Sequence, residues 1–261
     1  MLRIEMLPTH WVIWLDAPQT RNALSMEMVQ AMRDTLQQVS LHPQLRALVL
    51  RGANGHFCSG GDFASFKELM AAPAPEIGPD QVAIYNRDFG RLLQSLKNCE
   101  VMTVALVQGY AAGGGCGLAA ACDLVIADDT AVMSTPEVSL GLPPAQIAPF
   151  IQQRLGHFQA MQMMLSTRKI KIQEAVRIGL VDEYVSDVEA ALATWQQHWK
   201  KAEPAALRAT LQILRKGTAK ADLGDILDFA SLQFANSLRS GTALEGMQAR
   251  IEKRLPSWAL D

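Results

Sequence analysis

The chain has 261 residues, of which 49% are apolar, and a formal net charge of -2 at pH 7. This composition predicts a compact globular protein whose length allows one domain or two. The basic excess that nucleic-acid binding needs is missing, as is any run of like charges typical of a membrane-surface patch, so small molecules are the expected partners.

The first hundred residues alternate short strands with helices. The pattern predicts strands over Arg3–Glu5, Trp11–Leu15 and Leu45–Leu50, a helix from near Ser25, and helices over Phe63–Met70 and Gln81–Asn98. Asp62 stands where it could cap the helix that begins at Phe63. The proline-rich segment Ala71–Asp80 is expected to be a loop at the edge of a site.

The stretch Val101–Cys122 contains no charged residue and is long enough to span a bilayer. Its glycine cluster at Gly113 to Gly115 would interrupt a lone spanning helix, and acidic residues follow directly. We therefore interpret it as a buried strand (Val101–Val107), a glycine turn and a small-residue helix (Cys116–Ala121). The turn leaves backbone N–H groups exposed at a helix N-terminus.

A second glycine turn, at Gly60 and Gly61, also follows a buried strand. Two such turns could direct two N–H donors at one oxygen, which is what an oxyanion hole requires. Glu137 follows a short predicted strand, Ala131–Ser134, in a segment with few other charges. Two donors and one carboxylate predict proton transfer next to a carbonyl.

The remainder is mainly helical. Helices are predicted over Ala148–Leu155, Phe158–Leu165 and Gln173–Ile178, with a short strand over Val181–Val185. From Val188 onward the pattern is helix after helix, with breaks expected at Pro204, Gly217, Gly224 and Gly241.

The four cysteines have neither the spacing of a zinc site nor that of a disulfide framework. They favour reduced thiols in the cytoplasm, and the N-terminus does not resemble a secretory signal. No metal site is expected. Asp123, next to the end of the helix over Cys116–Ala121, is interpreted as a cap, and His56 as a loop residue with a possible contact to substrate.

Five segments together resemble the crotonase superfamily, the enoyl-CoA hydratase and isomerase family, over nearly the whole chain. They are Arg21-Asn22-Ala23-Leu24; Phe57-Cys58-Ser59-Gly60-Gly61-Asp62; Gly109 to Gly117 with Cys122-Asp123; Pro136-Glu137 with Leu140-Gly141; and Glu245-Gly246-Met247 with Glu252-Lys253-Arg254. The resemblance implies an α/β fold, a spiral of strand-strand-helix units over residues 1–187. It also implies a helical C-terminal region over residues 188–261 that builds homotrimers or homohexamers.

The resemblance also implies the chemistry. An acyl-CoA thioester carbonyl would bind the backbone N–H groups of Gly61 and Gly114, and Glu137 would transfer protons to and from the enolate. The same comparison implies substrate or CoA contacts at Arg21, Ala23, Ser59, Gly60, Asp62, Phe63, Gly113, Gly117 and Lys253. No cofactor is expected beyond the coenzyme A of the substrate.

Gly117 departs from the family pattern, because hydratases commonly place a first glutamate there. A single glutamate suffices for Δ3/Δ2-isomerisation, and Glu137 could also add water in sequence. Gly117 is expected to leave volume for a larger or branched acyl chain, or for a substrate carboxylate.

The stretch Leu140 to Phe150 resembles hydratases of branched glutaconyl-type thioesters, so a hydratase is favoured. An isomerase and a non-catalytic CoA-thioester-binding protein are the alternatives. Arg250 replaces an aromatic that commonly packs on the CoA adenine.

Overall fold

The computed structural model describes residues 1–71, 73, 75, 78–202, 204–216, 223–239 and 241–254. Within these residues the strands are β1 (Leu2–Met6), β2 (His10–Leu15), β3 (Ala47–Gly52), β4 (Met102–Val107), β5 (Tyr110–Ala112), β6 (Leu124–Ala127), β7 (Val132–Ser134), β8 (Ile170–Lys171) and β9 (Glu183–Tyr184). The helices are α1 (Met26–Gln38), α2 (Phe63–Ala71), α3 (Gln81–Lys97), α4 (Gly114–Ala121), α5 (Ala148–Leu155), α6 (His157–Ser166), α7 (Ile172–Arg177), α8 (Val188–Lys201), α9 (Pro204–Lys216), α10 (Leu223–Arg239) and α11 (Thr242–Ile251). Short 3-10 helices cover Pro18–Thr20, Val39–Leu41 and Glu137–Leu140.

The larger sheet has the strand order β1-β2-β3-β4-β6-β9 and is parallel except for the β1–β2 pair. Successive side chains point to opposite faces. Ile13 and Leu50 stand opposite each other on the face packed against α1, α3 and α4, whereas Val12 and Val49 pack with Trp199 of α8. Burial on both faces explains why these strands are almost continuously apolar in sequence.

The smaller sheet contains β5, β7 and β8, and residues 57–61 extend it. The amide of Cys58 donates to the carbonyl of Tyr110, and the amide of Ala112 donates to the carbonyl of Cys58, both at 2.9 Å. On the other side of this segment, the Leu24 amide donates to the Gly60 carbonyl at 2.8 Å. These parallel extended segments end side by side, so the residues that follow each of them lie at one edge.

The mixed α/β fold is confirmed, and the predicted strand, turn and helix are all present within Val101–Cys122. The elements not predicted include strands β5, β6 and β8 and the 3-10 helix at Glu137, which are too short to have a clear periodicity and are defined mainly by their contacts in the folded chain. The break predicted at Gly224 is wrong, since Gly224 is the second residue of α10. The break predicted at Gly217 lies outside the described residues.

The C-terminal helices pack back onto the rest of the chain. Phe234 and Leu238 of α10 share a cluster with Val82 of α3 and Leu142. The Arg87 guanidinium of α3 also pairs with Asp228 of α10 at 2.6 Å. No helix in the described part of the chain combines the length and apolar composition needed to cross a bilayer.

Candidate active site

The turn between β5 and α4 presents the first backbone donor. Gly113 has φ +52° and ψ -121°, a conformation suited to glycine, and its own amide donates to the Ser134 carbonyl at 2.9 Å. Gly114 is the first residue of α4, where an amide has no partner inside the helix. No described residue accepts a hydrogen bond from the Gly114 N–H.

The turn at Gly60 and Gly61 presents the second donor. Gly60 has φ +103°, and an ideal Cβ built there would lie 2.9 Å from the Ala112 carbonyl oxygen and 3.6 Å from the Gly114 nitrogen. The two turns are therefore in direct contact, and neither could approach as closely with a side chain at Gly60. The Gly61 N–H likewise has no acceptor within the described ranges.

Glu137 lies at the next position along the same edge. Strand β7 pairs with β5 and ends at Ser134, and the 3-10 helix that follows begins at Glu137. An ideal Cβ on Gly113 would lie 2.8 Å from Glu137 Oε1, so the carboxyl group touches the first glycine turn. Oε2 is buried and has no hydrogen-bond partner among the described residues.

Burial raises the pKa of Glu137 from about 4.5 to about 7, because the ionised form loses solvation. The chain provides no ion pair to offset this in the part that is described. A carboxyl group whose pKa lies near neutral pH can both accept and return a proton, which is what acid-base catalysis requires.

One pocket joins these groups. Seven of the residues expected at the site line it: Ser59, Gly60, Gly61, Phe63, Gly113, Gly114 and Glu137. The wall is otherwise mainly apolar and aromatic, with Leu24, Phe66, Phe89 and Phe234 among its members. An apolar pocket with a few polar groups at one end is typical of a small-molecule site.

Five expected site residues do not line this pocket. Arg21 is exposed with φ +53°, and its carbonyl accepts the Ser59 amide at 3.0 Å. Ala23 is buried beneath the site, and Lys253 is exposed just beyond α11. Asp62 caps α2, as predicted, by accepting the Ser65 amide at 3.1 Å.

Gly117 is the fifth, and the expectation that it leaves space for the acyl chain is wrong. An ideal Cβ on Gly117 would lie 2.2 Å from Ile147 Cγ2 and 2.8 Å from Ile147 Cβ. The Ile147 side chain therefore fills the volume that a larger residue at Gly117 would use, and Ile147 itself lines the pocket. Sequence reasoning missed this because the contact joins segments thirty residues apart.

Two polar residues of the pocket were also missed, Asn86 and Gln146. Asn86 lies on α3 between Val82 and Leu93 at helical spacing, on a face that is otherwise apolar and buried. A polar residue on such a face was the available signal. Three aromatic side chains, Phe63, Phe66 and Phe89, also line the pocket.

The contacts show where Asp123, His56 and Cys58 lie relative to the pocket. Asp123 does not cap α4: its Oδ2 accepts from the Thr103 amide at 2.9 Å and pairs with Arg215 at 2.7 Å. The His56 and Tyr110 ring centroids are 5.7 Å apart, and His56 is not among the residues that line the pocket. Cys58 is fully buried, and burial raises the pKa of its thiol to about 12, which is unfavourable for a nucleophile.

Comparison with known proteins agrees with the family resemblance found in the sequence. The sequence pattern of the enoyl-CoA hydratase/isomerase family matches residues 9–260. The short-chain-enoyl-CoA hydratase of Clostridium acetobutylicum is 30% identical over 248 residues, covering 93% of this chain and 91% of that protein.

Solved structures agree in fold. A crystal structure of an enoyl-CoA hydratase/isomerase from Marinobacter aquaeolei has a TM-score of 0.81 at 34% identity, and Pseudomonas aeruginosa AtuE has 0.79 at 38% identity. Both comparisons cover 99% of each chain. The chain therefore belongs to the enoyl-CoA hydratase/isomerase family of the crotonase superfamily.

Proposed function

We propose that this chain binds an acyl-CoA thioester with its carbonyl oxygen between the N–H groups of Gly61 and Gly114. The observation that carries the proposal is the convergence of two uncommitted amides and one unpartnered carboxyl group, Glu137, on one pocket. Amides positioned in advance stabilise the oxygen as it becomes an enolate. Each such donor contributes about 3–4 kcal/mol in comparable sites.

Water addition is the favoured reaction. Glu137 takes a proton from water as the water oxygen bonds to the β-carbon, and the double-bond electrons move to the thioester oxygen as an enolate. Glu137 then returns that proton to the α-carbon, and the carbonyl re-forms. The hydratase names of relatives support this reaction, and the sequence of residues 140–150 favours a branched or glutaconyl-type acyl chain.

Isomerisation is the second candidate, and the Ile147 contact favours it. Because Ile147 occupies the space beside Gly117, Glu137 is the single carboxylate among the described lining residues. One carboxylate can remove a proton from C2 of a 3-enoyl-CoA and return it to C4. This reaction uses the same enolate and the same two amides.

The remaining assignments complete the proposal. Arg250 lines the pocket and Arg21 and Lys253 are exposed, so these three cations are proposed to meet the phosphates or adenine of coenzyme A. The enzyme needs no cofactor apart from the coenzyme A of its substrate. It works in the cytoplasm as a homotrimer or homohexamer.

The test is turnover of an enoyl-CoA panel by the wild type, Glu137→Gln and Glu68→Gln, an exposed control on α2. We expect Glu137→Gln to lower kcat by about 10²–10⁴-fold and Glu68→Gln to be unchanged. Full activity of Glu137→Gln would show the assignment to be wrong. Conversion of a 3-enoyl-CoA without a 3-hydroxyacyl product would favour the isomerase, and tight binding without turnover would favour a non-catalytic binding protein.

A further inference from the structure

Two amide side chains meet in the wall of the pocket. Gln146 Nε2 donates to Asn86 Oδ1 at 2.8 Å, and the two residues are 2% and 7% exposed. Both line the pocket, although the proposed proton transfer uses neither. A buried amide in an apolar wall is costly unless its hydrogen-bonding groups are satisfied, so the position of Asn86 calls for a polar partner in addition to Gln146.

Their neighbours locate the pair. Asn86 lies one turn before Phe89 on α3, and the Phe89 ring approaches within 3.2 Å of an ideal Cβ on Gly114. Gln146 directly precedes Ile147, which packs on Gly117. The amide pair therefore belongs to the wall that encloses the proposed acyl chain. It lies next to Phe89 and Ile147, which pack against Gly114 and Gly117 of α4.

The contacts also orient the two amides. Gln146 Oε1 lies 1.8 Å from an ideal Cβ position on Gly90 of α3, so this oxygen faces Gly90. The Nε2 group of the same amide donates to Asn86, one turn earlier on α3. Asn86 Oδ1 is thus committed to Gln146, and its Nδ2 lies on the opposite side of the amide. No described residue accepts a hydrogen bond from Asn86 Nδ2.

A buried cation stands behind the pair. The Arg87 side chain is 9% exposed and donates through Nε to the largely exposed Asp228. Its Nη1 is buried without a partner among the described groups and lies 3.3 Å from the same Cβ position on Gly90. A positive charge near an N–H donor favours an anionic acceptor over a neutral one.

We propose that Asn86 is a specificity residue whose Nδ2 donates to an acceptor at the far end of the acyl chain, a carboxylate in preference to a neutral carbonyl. Gln146 is a positioning residue that fixes the Asn86 amide. The inference rests on the proposed function and adds the residue that recognises the far end of the acyl chain. A chain with an apolar end would leave the Nδ2 group unpaired and bind less well.

Three isosteric thioesters test this inference: glutaconyl-CoA, 5-oxo-2-hexenoyl-CoA and 5-methyl-2-hexenoyl-CoA, which end in a carboxylate, a neutral acetyl group and an isopropyl group. We expect wild-type kcat/KM to be at least about 10-fold higher for the carboxylate than for the isopropyl end, since a hydrogen bond to a charged group contributes about 1.5–3 kcal/mol. A wild-type preference for the isopropyl end would overturn the inference.

Asn86→Leu should lower kcat/KM by about 10-fold or more for glutaconyl-CoA and 5-oxo-2-hexenoyl-CoA, the two substrates whose acyl chains end in a hydrogen-bond acceptor. The kcat/KM for 5-methyl-2-hexenoyl-CoA should change by less than about 3-fold. Asn86→Asp, which keeps the acceptor for Gln146, should impair the carboxylate most through like-charge repulsion. Asn98→Leu, at the exposed end of α3, is the control and should retain wild-type selectivity. Equal losses with all three substrates would contradict the inference.

Gln146→Met separates positioning from general packing. Loss of the Nε2 donor should reduce the ratio between acceptor-ended and isopropyl-ended kcat/KM, whereas a merely structural role would lower all three values together. If the predicted differences in kcat/KM among the three substrates are not observed, activity should still depend on Glu137. Failure of the proposed function would appear instead as full activity of Glu137→Gln on every substrate.

Discussion

Glu137 combines a proposed catalytic position with an energetic penalty. Its Oε2 is buried without a partner in the described residues, and burial raises the pKa to about 7. A folded-state pKa above the unfolded one means that the native protein binds the proton more tightly than the unfolded chain does. Stability from this group is therefore fully present below about pH 4.5 and is lost as the pH rises through about 7.

This penalty can be measured as the difference in unfolding free energy between Glu137→Gln and the wild type. The difference should shift in favour of the variant by about 2 kcal/mol between pH 5 and pH 8, because one pKa unit is about 1.4 kcal/mol and part of the full difference is already present at pH 5, above the unfolded pKa of about 4.5. Urea denaturation at the two pH values is the measurement. A difference that does not change with pH would show that Glu137 is not perturbed by burial.

At the scale of elements, α4 and the segment that ends at Ile147 determine the shape of the pocket. Gly117 faces Ile147 so closely that a single methyl group would meet Cγ2 at 2.2 Å. Alanine is otherwise favoured over glycine inside a helix by about 1 kcal/mol. The stability cost of a Gly117→Ala change therefore depends on the side chain at position 147.

A double-mutant cycle separates the helix preference for alanine from the steric contact with Ile147. We expect Gly117→Ala to destabilise the wild type by about 1–3 kcal/mol through overpacking, and to cost about 1 kcal/mol less in an Ile147→Ala background, where the Cγ2 contact is gone and the Cβ at 2.8 Å remains. Equilibrium unfolding of the four proteins gives the coupling energy. Additive values, with alanine at 117 having the same effect in both backgrounds, would mean that Ile147 does not fill the space beside Gly117.

The same elements show what the sequence could and could not predict. Glycine turns after apolar strands are local signals, so the turns at Gly60–Gly61 and Gly113–Gly115 are predicted as sources of donors, and the resemblance to the crotonase superfamily selects Gly61 and Gly114. The Ile147 contact and the Asn86–Gln146 hydrogen bond join distant segments, and no local pattern encodes such distances. Strands β5 and β6 were missed because their pairing in the folded sheets, more than their own sequence, defines them.

Across the whole molecule, the C-terminal helices contribute part of the pocket wall. Phe234 of α10 and Arg250 of α11 line the pocket, and an ideal Cβ on Gly246 of α11 would lie 2.3 Å from the Leu140 carbonyl oxygen. Gly246 thus allows α11 to approach the 3-10 helix that carries Glu137. The proposed catalytic arrangement consequently depends on contacts between the middle and last thirds of the chain.

The most direct measurement of the central claim is a crystal structure of the Glu137→Gln variant with an enoyl-CoA thioester bound. The account predicts that the thioester oxygen lies about 2.7–3.1 Å from the nitrogens of both Gly61 and Gly114. It also predicts that the side chain at position 137 faces the α- and β-carbons. A thioester oxygen that contacts neither amide, or acyl carbons that lie away from position 137, would contradict it.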